Sequence, residues 1–128
     1  MTFPEDLKYS KEHEWVRFDG KTAVIGVTDY AQDQLGEIVY VELPDEGEAI
    51  VKDDSFGVVE SVKSVSDVFA PISGDVIEVN DPLLDSPETV NEEPYGEGWL
   101  VKVHVTNPKE LEELMTAEQY QAFIKEES

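Results

Sequence analysis

The 128 residues carry 30 acidic against 9 basic side chains, a net charge of −21, with no cysteine and a hydrophobic share of 40%. That balance argues against nucleic acid and against an anionic membrane surface, both of which would repel the chain, and favours partners with basic docking faces. Without thiols there is no disulfide, no thiolate metal site and no cysteine nucleophile, so any sulfur chemistry must come from a cofactor.

Residues 13–18, from His13-Glu14-Trp15 to Phe18, alternate apolar and polar and predict a strand, followed by an Asp19-Gly20 turn. Residues 22–27 are the return strand. Asp29-x-x-Gln32 resembles a capping box and Gly36 is a natural stop after Leu35, so one short internal helix is expected between them. Residues 36–44 then resemble residues 74–82, and Val51-Lys52-Asp53-Asp54-Ser55-Phe56-Gly57 resembles Val90-Asn91-Glu92-Glu93-Pro94-Tyr95-Gly96 in the same order. Two copies are too few for a solenoid. They predict two β halves related by a pseudo-two-fold axis, each a strand, a Pro-containing turn, a second short strand and an aromatic-Gly turn. Residues 99–105 alternate as a strand. Asn107-Pro108-Lys109-Glu110 opens a helix with Leu111, Leu114 and Met115 as its stripe, and Thr116-x-x-Gln119 caps a second one presenting Tyr120, Phe123 and Ile124.

Between the two copies lies the most informative residue. Val58-Val59 leads into Glu60-Ser61-Val62-Lys63-Ser64, and Val65-x-x-Val68-Phe69 leads out. Two apolar runs around a short polar tip make a β-hairpin, and without Gly or Asn at the tip a type I-like turn fits better than a primed one. Lysine on a hairpin tip is common as a guard against edge pairing. The alternative is a handle: a lysine held between β-branched neighbours and presented to solvent, which an enzyme could grip as the attachment point for a swinging cofactor arm.

Enzymatic readings fail one by one. The carboxylates have no evident apolar pocket to separate them into acid and base. His13 and His104 are the only histidines, with no second one at zinc-protease spacing from His13, and no metal site is expected. Ser61, Ser64 and Ser66 lie near Lys63 without the Ser-x-x-Lys spacing of β-lactamase-type nucleophiles. No Gly-rich loop could cradle phosphates. The start of the chain, Met1-Thr2-Phe3-Pro4-Glu5-Asp6, is no signal peptide and no apolar run could span a membrane, so the expected compartment is the cytoplasm.

Lys8-Tyr9 with His13-Glu14-Trp15-Val16, residues 25–36, Val41-Glu42-Leu43-Pro44, Glu60-Ser61-Val62-Lys63, Ser66-Asp67 with Pro71-Ile72-Ser73-Gly74, Val90-Asn91, and Pro94-Tyr95-Gly96-Glu97-Gly98-Trp99 together carry a family likeness. On these stretches the chain resembles the H-protein family of the glycine cleavage system, which are lipoyl carriers. The resemblance covers nearly the whole chain in order. It implies a mainly β fold, a barrel-sandwich hybrid of the lipoyl and biotinyl type, with short C-terminal helices and residues 1–128 as a single carrier domain. It implies lipoate in amide linkage to Lys63, with Glu60, Ser61, Val62 and Ser64 read by the lipoylating enzyme.

Three visiting enzymes follow from the resemblance. Glycine decarboxylase, a pyridoxal-phosphate enzyme, loads an aminomethyl group. The aminomethyltransferase passes its carbon to tetrahydrofolate, and dihydrolipoamide dehydrogenase reoxidises the dithiol. The carrier itself, expected as a monomer, catalyses nothing and supplies proximity. A relay of lipoyl or octanoyl groups to other lipoyl domains is the alternative role. The loaded arm ends in a cation, so a cleft of carboxylates would shelter it from water. Glu14, Asp67 and Glu12 are the candidates for that cleft. A biotinyl carrier would show Met-Lys-Met where Val62 and Ser64 stand, and acyltransferase-linked lipoyl domains more often show Asp-Lys-Ala.

Overall fold

The computed structural model describes residues 1–127. Two antiparallel sheets carry the fold. The larger runs β1-β2-β3-β9-β8-β5, built from β1 (Lys8–Tyr9), β2 (Glu14–Asp19), β3 (Thr22–Val27), β9 (Val101–Val105), β8 (Gly74–Val79) and β5 (Ala49–Ile50). The smaller runs β4-β6-β7, from β4 (Ile38–Glu42), β6 (Ser55–Ser61) and β7 (Val65–Phe69). The valines and isoleucines that face inward from both sheets, among them Val16, Ile25, Val41, Val59, Val68, Val76 and Val103, form one core. This is the expected sandwich of β-branched residues.

A second core lies on the other side of β2. Trp15 points away from the main core into Leu7, Tyr9, Tyr120 and Ile124, beneath the N-terminal segment and α4 (Ala117–Glu127). The first half of β2 is therefore buried on both faces, and Glu14, Trp15 and Val16 are all at most 2% exposed. The alternation read from residues 13–18 does not appear as alternating burial: beyond Val16, Arg17 is half-buried and Phe18 and Asp19 are both exposed.

Several local expectations are corrected. The cap of α1 (Asp29–Leu35) is Thr28, whose Oγ accepts the Ala31 N–H at 3.1 Å, because both Asp29 oxygens are taken by the Thr2 N–H and the Gln32 amide. Gly36 ends α1 as read, at φ +86° with its N–H on the Gln32 carbonyl. Two single-turn helices went unread, α2 (Pro82–Asp85) and α3 (Thr89–Glu92). They also limit the internal repeat. Residues 36–44 and 74–82 both carry strands, but 51–57 is a turn entering β6 whereas 90–96 begins inside α3. The segment Pro108–Glu113 is 3-10 rather than α, and Asn107 makes no side-chain cap. Glu110 is drawn off to the Ser73 N–H and hydroxyl, at 2.7 and 3.0 Å. The Thr116–Gln119 capping box is present in both directions. Among the described residues no helix is long and apolar enough to cross a membrane.

Candidate functional site

β6 and β7 pair locally, with Glu60 opposite Val65, so residues 61–64 form the tip. Neither Val62 nor Lys63 has a positive φ, which rules out a primed turn. Ser61 organises the tip from beneath. Its hydroxyl, 5% exposed with its residue, accepts the backbone N–H of Ser64 at 3.0 Å and of Lys63 at 3.3 Å. The Ser61 N–H donates to the Ser64 carbonyl at 2.8 Å, and the Val62 N–H reaches across to the Glu37 carbonyl at 3.1 Å. Every N–H from 61 to 64 is thus satisfied while Val62, Lys63 and Ser64 stand in solvent.

Glu37 and Gly36 are the seat on which the tip rests. A Cβ placed on Gly36 would lie 3.3 Å from Lys63 Cε, so the lysine stem runs directly over the glycine. Glycine is required there twice, once for the positive φ and once for that passage. Asn91, on α3, fastens the seat. Its Oδ1 accepts the Ile38 N–H at 2.8 Å, and its Nδ2 donates to Gln32 Oε1 at 2.9 Å and to the Gly36 carbonyl at 2.8 Å. The sequence marked Asn91 as part of the repeat and of the family resemblance, but not as the fastener of this seat. An Asn91→Ala chain will lose about 2 kcal/mol of stability through the orphaned Ile38 N–H. Urea unfolding checks this, with faster hydrogen exchange at the Val62 amide as the local sign.

Glu14 begins β2 on the main-core side and bridges the two sheets. Its Oε1 accepts the Ser10 hydroxyl at 2.5 Å and its Oε2 the Phe69 N–H of β7 at 3.3 Å. The turn before it makes this possible: His13 adopts φ +71° and closes onto the Ser10 carbonyl, which folds Ser10 back beside Glu14. Burial pushes the Glu14 carboxyl up from its ordinary value to about 7. The hydrogen bonds from Ser10 and Phe69 oppose that rise, and the negative charges of Glu12 and Asp53 add to it. The sequence showed no sign of a carboxylate set apart in this way; the fold sets Glu14 apart by burying it. A cavity of about 300 Å³ opens over Glu14, bounded by Tyr9, Glu12, Lys52, Asp53, Phe69 and Met115.

The candidate residues therefore fall into three places. Glu12 and Glu14 share this cavity. Asp67 does not border it; it lies two residues nearer the tip along β7, taking a hydrogen bond from Ser55 at 3.2 Å. Lys63 stands at the far end of the same hairpin. Asp53, held at φ +74°, is a cavity acid that the sequence reading named only as part of the repeat.

The tip fits an acylated lysine. Lys63 is exposed, its backbone is fixed, and the two described ion pairs, His13–Glu127 and Lys102–Glu78, leave its amine out. A group attached there leaves the backbone hydrogen bonds of the tip intact.

Comparison with known proteins agrees with this geometry. The family model described as glycine cleavage H-protein matches residues 7–127. The chain is 60% identical over 127 residues to the glycine cleavage system H protein of Anaeromyxobacter sp. (strain K), covering 99% of each. It is 55% identical over 124 residues to that of Carboxydothermus hydrogenoformans, covering 97% of this chain and 95% of the relative. A crystal structure of a glycine cleavage system H protein from Mycobacterium marinum superposes with a TM-score of 0.86 at 39% identity, over 93% of this chain and 96% of that one. Matched along nearly its full length in both sequence and fold, the chain belongs to the glycine cleavage H-protein family.

Proposed function

We propose that residues 1–128 act as one lipoyl carrier domain of the glycine cleavage system, with lipoate in amide linkage to Lys63. The exposed Lys63 on a fully hydrogen-bonded tip carries this reading. Attachment needs the neutral Nζ to attack the carbonyl of an activated lipoyl donor. The amide bond forms, and the activating group and a proton leave. Once bound, the dithiolane supplies reversible thiol chemistry that this cysteine-free chain lacks.

The chain's own part is presentation and shelter. Ser61 holds the tip, with Glu60, Val62 and Ser64 around the lysine as the surface the lipoylating enzyme reads. β7 leads from the tip towards the Glu14 cavity over about 13 Å from Val65 to Phe69, at about 3.3 Å per residue. That is the scale of an extended lysine carrying a fatty-acyl chain. Glu14 and Glu12 receive the cationic end of a loaded arm, and Asp67 stands beside the path. A cation placed against Glu14 favours its carboxylate over its acid, so docking releases a proton below about pH 7 and tightens as the pH rises through that value.

The carrier is not itself catalytic. It serves glycine decarboxylase, the aminomethyltransferase and dihydrolipoamide dehydrogenase in turn, as a cytoplasmic monomer. The test is an intact mass with peptide mapping after incubation with a lipoylating enzyme, ATP and lipoate. An adduct confined to Lys63 is expected. A bare Lys63, beside a second lipoyl domain that loads fully, overturns the reading.

A further inference from the structure

The outer face of the β4-β6-β7 sheet is patterned in a way the lysine alone does not require. Register places Tyr40, Glu60 and Val65 side by side in one row and Glu42, Val58 and Asp67 in the next. The alternate residues Val41, Val59 and Val68 turn into the core. Acid and apolar side chains therefore alternate both across and along the strands, as on a checkerboard. Tyr40 is 51% exposed and Val65 66%, and Val62 at the tip is 68% exposed.

In so acidic a chain, negative charge singles out no face. Apolar exposure does. Of the nine large apolar side chains that are exposed among the described residues, four, Val39, Tyr40, Val62 and Val65, gather at this end of one sheet. The surface complementary to the checkerboard is an apolar patch bearing arginines or lysines, each of which meets an acid flanked by apolar neighbours.

Resting on the reading of Lys63 as the acylated residue, we propose that this face is the docking platform of the lipoylating enzyme, and that the enzyme meets it with an apolar, Arg/Lys-bearing surface. The platform ends at the tip, with Val65 two residues from Lys63. It is complete while the lysine is still bare, which is the state only that enzyme must recognise. It also solves a selection problem. The chain has seven other lysines, at 8, 11, 21, 52, 102, 109 and 125, and none lies on β4, β6 or β7. An enzyme seated on this platform reaches Lys63 and no other.

The experiment compares initial rates of adduct formation, at subsaturating carrier, for the parent, Tyr40→Ser/Val65→Ser, Glu42→Lys, and Glu88→Gln/Glu92→Gln on the opposite side of the tip. Acylation of Lys63 by a small activated ester, mapped by peptide mass, reports amine exposure without the enzyme. A fall of tenfold or more in kcat/KM is expected for the double variant and for Glu42→Lys. The α3 variant stays near the parent, and the small-ester rate is unchanged throughout. Rates within twofold of the parent for both platform variants overturn the proposal while leaving Lys63 as the modified residue. A parent chain that takes no adduct overturns both. A parent that sediments as a dimer which the double variant dissolves assigns the face to a second copy of this chain, and overturns the platform.

Discussion

A Lys63→Arg chain will fold as the parent does and carry no adduct under any lipoylating condition. Arginine keeps the charge and much of the length, but its guanidinium stays protonated and is not acylated. The expected loss of carrier activity is complete, because no other lysine shares the tip. The expected loss of stability is within about 0.5 kcal/mol, as befits an exposed side chain outside the described ion pairs. The check is intact mass together with urea unfolding. Residual adduct on the variant would mean that the lysine is not the handle. A large drop in stability would mean that its passage over Gly36 holds the fold together, which the geometry does not support.

The second large effect is at Glu14 and depends on pH. Its carboxyl rises from near 4.5 when unfolded to about 7 in the folded chain. The folded state therefore holds the proton more tightly, and stability falls as pH rises between those two values, with the full cost present above about 7. The size of that cost is on the order of 3 kcal/mol. Glu14→Gln removes it. The glutamine amide can accept from only one of Ser10 and Phe69, which offsets part of the gain. Net stabilisation of about 1–2 kcal/mol at pH 8 is expected, passing through zero as the pH falls and becoming a destabilisation of about 1–2 kcal/mol, from the lost hydrogen bond alone, near pH 4.5. Measuring the difference between parent and variant cancels the other acids. A difference that does not grow between pH 5 and 8 would show that the carboxyl titrates normally. The same substitution should harm function while it helps stability: a loaded Glu14→Gln carrier should lose its one-carbon unit to water several-fold faster than the parent, measured as released formaldehyde.

How much of this could be read beforehand depends on the range of the interactions involved. The hairpin and the place of Lys63 at its tip were legible because both strands and the tip lie within fifteen residues, Ser55 to Phe69, and the valine pattern sets the register. Gly36 was legible as a helix stop but not as the seat of the lysine, since that contact spans 27 positions. The cap of α1 was misplaced by one residue because Asp29 is claimed by Thr2, across the fold. α2 and α3 escaped because four residues give no helical period to detect. Glu14 was named as a candidate by resemblance, but its burial was invisible. Its partner Phe69 is 55 residues away, and the second core that covers the other face of β2 comes from α4 at the far end of the chain.

The satisfied amides of the tip have a consequence for repeated encounters. Ordering a free loop on each docking would cost conformational entropy for every residue fixed, about 1–2 kcal/mol apiece. Here residues 61–64 surrender that freedom when the chain folds, through Ser61 below and Glu37 beside. What freedom is left lies with the exposed side chains, that of Lys63 among them. Each partner then meets a stationary pedestal and a mobile tether, so the entropy lost on binding belongs to those side chains and the tether, and the same pedestal can be presented to a succession of active sites without being remade for any of them.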